Sequence, residues 1–259
     1  MTGFLLAAAF VTFVWFFSTG AILWMNRLPR EHHQGAVVMA IPVLAVGACG
    51  LIVAAAETGP AAAYLAFLSA ILVWGWHELS FLMGVVTGPN RAPLPEGARG
   101  WSRFRASAGT VIHHEIALFA TLGVIALLSW GAPNQVGLWT FGILFAMRLS
   151  TKLNIFLGVS NLSSEMLPAH LGYMKSHFRT ARMNPLYPVS LALSLALLVW
   201  LGGHALDDTG AALLLSLAIL GLVEHGFMML PVRDHELWKW AMPTHERQSQ
   251  TGRNPWDGL

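Results

Sequence analysis

Three short strings carry residue types able to do chemistry, and each lies in an apolar run: His77-Glu78, His113-His114-Glu115 and Glu224-His225. Neutral imidazole and carboxylate suit zinc, iron or manganese, and di-metal helix bundles draw such ligands from several facing helices. Adjacent residues on a helix stand about 100° apart, so one member of each pair can ligate while the other supports it by hydrogen bonding. The Glu-x-x-His and His-Glu-x-x-His spacings and any Gly-rich nucleotide loop are absent. A central Asp, Lys or Arg costs roughly 2.5–3.5 kcal/mol on membrane-insertion scales. Ionisable groups inside apolar helices are therefore functional candidates.

The elements that hold these residues are readable from composition. With 55% hydrophobic and 11% charged residues and a mean hydropathy of +0.58, the chain is expected to be an all-α, polytopic membrane bundle. Apolar runs at about 3–25, 35–56, 61–86, 111–131, 135–157, 186–205 and 210–230 predict seven transmembrane helices. The first run lacks a basic leader and reads as a retained anchor. The 15 Lys and Arg residues all follow or end the first, third, fifth and seventh runs. None lies near Glu57, Asn134 or Asp207-Asp208. The positive-inside rule then puts the N-terminus outside and the C-terminus in the cytoplasm. A single cysteine, Cys49, excludes an intrachain disulfide, and a net charge of +2 gives no argument for nucleic acid. One bundle is expected over 1–230, with cytoplasmic loops 87–110 and 158–185 and an interfacial, flexible tail at 231–259. The first loop, rich in Pro, Gly and Arg, reads as irregular; the second reads as a helix begun by Pro168.

That orientation gives the polar residues one depth. His77, Glu78, His114, Glu115, Glu224 and His225 all fall toward the cytoplasmic leaflet, with Asn154 closing the fifth run. Glu165, His170 and His177 lie in the loop that can cross this end, the two histidines seven residues apart and on one face of a helix. These nine His and Glu residues are the candidate metal ligands, for iron, manganese or zinc; His113 is either a further ligand or an interfacial histidine. His177, beside Lys175 and Arg179, also fits a lipid-facing basic surface. His32 and His33 read as solvated loop residues. Most of the 11 tryptophans read as interface anchors, while Trp74 and Trp76 flank the third-run site as possible pocket walls.

The strings "WGWHELSFLMGVVTGPN", "TVIHHEIALF", "RLSTKLNIFLGVSNLSSEMLPAHLGYMKSHFR" and "RMNPLYPVS" resemble the PuhE family, the photosynthetic complex assembly proteins of purple phototrophic bacteria. The resemblance spans nearly the whole chain and is clearest over residues 74–190. It implies a multi-pass protein of the bacterial cytoplasmic or intracytoplasmic membrane. Such a protein would assist assembly of the reaction-centre and light-harvesting apparatus or modulate bacteriochlorophyll supply, with their subunits and other assembly factors as partners. It transfers no catalytic residue. A tetrapyrrole, bacteriochlorophyll or a precursor, would meet histidine as an axial ligand, making His77, His113, His114 and His225 the cofactor candidates. The alternative is a di-iron-like membrane oxidase or hydroxylase acting on a lipid-soluble pigment or precursor.

Overall fold

A computed structural model describes residues 2–162, 166–232 and 234–242 of the protein. Among these the fold is all-α. The helices are α1 (Thr2–Met25), α2 (His33–Met39), α3 (Ile41–Ala55), α4 (Pro60–Leu82), α5 (Gly100–Ala108), α6 (Ile112–Leu128), α7 (Val136–Leu157), α8 (Leu186–Gly202) and α9 (Thr209–Phe227). Each expected apolar run is helical. Five units among the described residues are long and apolar enough to cross a membrane: α1, the Arg30–Ala55 unit, α4, α7 and α9. α5 and α6, bent by 66° at their junction, make a sixth if the bent pair is one span, so the described residues support five to six spans where seven were expected. α8 is apolar but has 17 residues, short of the roughly 20 needed to cross hydrocarbon without tilt.

Local chemistry sets the helix ends. Pro42 and Pro60 lie in the first turns of α3 and α4, where a missing N–H costs nothing. Asp208 caps α9 by accepting from Ala211 N–H at 2.6 Å. Asn134 Oδ1 accepts from Val136 N–H at 3.0 Å, and Asn184 Oδ1 from Leu186 N–H at 2.9 Å, at the starts of α7 and α8.

α4 is the central helix, packed on α1, α3, α6, α7 and α9. Small residues permit the closest of these approaches: a Cβ at Gly47 would stand 2.9 Å from the Ser69 carbonyl oxygen of α4. Phe67 of α4, Phe141 of α7 and Leu213 of α9 are almost wholly enclosed, whereas much of the apolar surface of α1, α3, α6 and α8 faces outward, as a bilayer requires.

Two connections differ from expectation. The 87–110 loop is not irregular throughout, because after its Pro- and Gly-rich part α5 forms. Its first turn is closed by Ser102, whose hydroxyl donates to the Arg99 carbonyl at 2.8 Å and accepts from Arg99 N–H at 3.2 Å. Ala169–His177 is a 3-10 helix and not an α-helix. Gly172 in its middle weakens α propagation. At three residues per turn, His170 and His177 stand about 120° apart, so they do not share a face. Beyond it, Ala181 N–H donates to the Val159 carbonyl at 3.0 Å in an isolated parallel bridge.

Candidate functional site

α4 and α7 end, and α6 begins, at the same end of the bundle, which brings Glu78, His114, Glu115, Arg148 and Lys152 together. Glu78 Oε2 accepts from the Arg148 guanidinium at 3.1 Å, and its Oε1 lies 3.7 Å from His114 Nε2. Lys152, one turn along α7 from Arg148, pairs with Glu115 Oε1. Its ammonium also lies 5.1 Å from the centre of the Phe81 ring. Arg148 is within electrostatic reach of Glu224 and Glu115 as well as Glu78. Glu224 Oε1 accepts from the indole N–H of Trp15, which brings α1 into the group. The carboxylates are thus matched by the chain's own cations, Glu78 by Arg148 and Glu115 by Lys152.

Sequence reading missed Arg148 and Lys152 as site residues because it counted them only as charges marking a helix end. Both lie well inside α7, and their i,i+4 spacing puts them on one face. A basic pair on one face of an apolar helix was the available signal.

The histidines have separate environments. His114 is fully enclosed, its ring 4.6 Å from that of Phe81 and both ring nitrogens without a hydrogen-bond partner among the described residues. His77 Nε2 is 2.9 Å from Thr121 Oγ1, and its Nδ1 has no hydrogen-bond partner among the described residues. His225 belongs to a neighbouring polar network joining α7, α8 and α9. Its Nδ1 lies 2.9 Å from the Gly221 carbonyl and its Nε2 2.9 Å from Ser150 Oγ. Asn154 extends that network by donating to Ser190 Oγ at 3.0 Å and accepting from Asn184 at 3.1 Å. His113 is exposed on the outside of α6.

His177 is buried and clips the loops together. Its Nδ1 is 2.9 Å from Ser107 Oγ, its Nε2 is 3.2 Å from the Ala92 carbonyl, and its own carbonyl accepts from Arg103 at 3.0 Å. It is not part of a lipid-facing basic surface. His33 likewise is not solvated: it is buried between the Met83 carbonyl (Nδ1, 3.2 Å) and the Leu28 carbonyl (Nε2, 2.9 Å), while His32 is exposed. His170 stacks edge-on to His33, ring centres 5.0 Å apart. Burial holds the His170 imidazole below its ordinary range, His33 and Arg30 add to this, and a hydrogen bond to the Leu82 carbonyl opposes it. Trp74 packs on Phe141 and Trp76 donates to the Val37 carbonyl at 3.2 Å, so both serve helix packing. Glu165 lies outside the described residues.

Among the described residues no three His, Cys, Asp or Glu side chains converge as a group able to hold a metal ion. Chemically, the α4–α6–α7 cluster is a charge-matched network with spare polar atoms. Among the described residues Glu115 Oε2, Arg148 Nε and His114 Nδ1 have no hydrogen-bond partner, and Glu78 Oε1 has only the His114 Nε2 contact at 3.7 Å. Such a network fixes helix register and accepts small polar groups, but it offers little uncompensated negative charge to a cation.

Residues 1–249 match the family DUF3623, described as a protein of unknown function. The chain is 44% identical over 263 residues to the "Uncharacterized 30.4 kDa protein in puhA 5'region" of Rhodobacter capsulatus, covering 98% of this chain and 96% of that protein. No solved structure matches.

Proposed function

Because this chain belongs to the DUF3623 family, and its relative in Rhodobacter capsulatus is named for its position beside puhA, we propose that it is a PuhE-type factor of the photosynthetic membrane. In this reading it sits in the bacterial cytoplasmic or intracytoplasmic membrane and assists assembly of the reaction-centre and light-harvesting complexes or the supply of bacteriochlorophyll to them. The observation that favours this role over a di-metal oxidase is the pairing of Glu78 with Arg148 and of Glu115 with Lys152. Two metal ions require the negative charge that Arg148 and Lys152 already balance.

The same geometry narrows any pigment contact. Of the four candidate imidazoles, His77, His114 and His225 are enclosed at 6%, 0% and 1% exposure, so a ring-sized ligand does not fit against them. His113, open on the outer face of α6, is the imidazole that can meet a membrane-dissolved tetrapyrrole. Bound pigment would supply light absorption, and the protein would supply position.

The experiment is deletion of the gene in a phototrophic host, with absorption spectra of the membranes and metal analysis of detergent-purified protein. Loss of assembled pigment–protein absorption, restored by the wild-type gene, is the expected result. Redox metal at more than one ion per chain would replace this reading with the oxidase.

A further inference from the structure

A second polar feature lies beyond the charge network, where three connections meet at the same end of the bundle. Residues following α1, the stretch after α4 and the 3-10 helix Ala169–His177 enclose a cleft of about 400 Å³. Arg30 and Arg91 line it, and none of its lining residues is acidic. Three polar atoms of the lining are buried and have no hydrogen-bond partner among the described residues: Thr87 Oγ1, His170 Nε2 and Tyr173 Oη. Thr87 is itself only 2% exposed. Buried polar groups are normally paired, so two unpaired hydroxyls beside two guanidiniums suit a ligand with several acceptor oxygens and negative charge, to which His170 Nε2 can donate once its ring is protonated. A hydroxyl donates readily to such an oxygen, and guanidinium forks match phosphate geometry.

We propose that this cleft binds a phosphate-bearing anion, with Arg30 and Arg91 neutralising its charge and the Thr87 and Tyr173 hydroxyls donating to its oxygens. The cleft is tied to the charge network through Thr87, whose carbonyl accepts from His114 N–H at 2.9 Å. A ligand that orders Thr87 therefore also fixes the start of α6. Gly84, at φ +73°, belongs to this cradle: a Cβ there would stand 3.1 Å from His170 Cδ2 and crowd the ring.

The ligand's phosphate can belong to a lipid headgroup or to a soluble anion, and binding measurements separate these sources. Full-length protein in neutral detergent is titrated with phosphatidylglycerol, with phosphatidylcholine and with inorganic phosphate, following thermal unfolding and saturable binding. Phosphatidylglycerol stabilising the wild type where phosphatidylcholine does not assigns the headgroup of an anionic lipid; inorganic phosphate alone stabilising it assigns a soluble anion. In either case Arg30→Gln with Arg91→Gln should weaken binding at least about tenfold, since charged hydrogen bonds are lost. Tyr173→Phe, which removes one hydroxyl and keeps the ring, should weaken it by a smaller factor. Tyr173→Phe keeps the ring that packs on the Phe81, Leu171 and Met174 cluster, and unliganded unfolding temperature reports whether the variants fold as wild type. Absence of saturable binding by either anion, or binding equal in wild type and the double arginine variant, would overturn the proposal.

Discussion

Glu78 and Arg148 meet across 70 residues of chain, carboxylate to guanidinium at 3.1 Å, and join the central helix α4 to α7. Breaking one side of an enclosed pair leaves the other charge uncompensated, whereas removing both leaves little behind. Glu78→Gln and Arg148→Gln should each lower the stability of the purified protein. With the Arg148 side chain 39% open, about 2 kcal/mol is expected, below the range for a fully buried pair. The double variant should lose less than the sum of the two. Additive losses in a double-mutant cycle would mean that the contact carries no coupling.

His114→Phe tests whether the enclosed imidazole does more than fill space. Phenylalanine has similar volume and can keep the contact with Phe81, so unfolding temperature should change little. Phototrophic growth should fall in this variant at equal protein level, because the polar atoms beside Glu78 go. His113→Ala, on the outer face, should leave stability unchanged and reduce any pigment co-purifying with the protein. Full growth with His114→Phe would reduce His114 to packing.

Gly88 lies where the stretch after α4 crosses the start of α6. A Cβ there would stand 2.7 Å from the Thr110 carbonyl carbon and 2.8 Å from Val111 N, so backbone must move. Gly88→Ala should cost about 1–3 kcal/mol by overpacking. Gly123→Ala in α6, with nothing within 4 Å, should be neutral or slightly stabilising. Thermal melts of the two proteins side by side decide this, and equal melts would remove the close crossing as a constraint.

Reporter fusions at Asn134 and Asp207 should report the outside of the membrane, and fusions after Arg99, Lys175 and Arg253 the cytoplasm, since all the basic residues fall on one of the two sets of connections. A cytoplasmic signal at Asp207 would show that α8, the short helix, does not complete a crossing.

Anion binding in the Arg30–Arg91 cleft should tighten as pH falls from neutral. In the free protein, burial and the nearby His33 and Arg30 keep the His170 imidazole below its usual range. A bound anion favours the protonated ring, so binding takes up a proton between the free and bound pKa values. The other charged or titratable groups lining the cleft are Arg30, His33, Arg91 and Tyr173. Titrations with phosphatidylglycerol, whose charge is constant in this range, at pH 8 and pH 6 should differ in wild type and agree in His170→Gln. A pH effect that survives His170→Gln would place the proton elsewhere.

The helices were legible because long apolar runs have few other uses, but the number of crossings was not, because α8 is short and α5–α6 is bent. The site was legible only in part. Glu78, His114 and Glu115 stood out as ionisable residues in apolar surroundings, but Arg148 and Lys152 had already been read as topology markers. That reading hid the partners that balance the carboxylates. His33 and His177 were misread because their partners are backbone carbonyls of distant loops, which carry no sequence identity. Gly88 was silent because its constraint comes from another segment's backbone.

The chain separation between Glu78 and Arg148 has a consequence for biogenesis. Glu78 leaves the ribosome 70 residues before its cation, and Glu115 precedes Lys152 by 37. At about 5–20 residues per second, Glu78 waits roughly 4–14 s without its partner. Until α7 arrives Glu78 lacks its guanidinium, and holding its carboxyl in hydrocarbon carries an insertion cost that the finished bundle offsets.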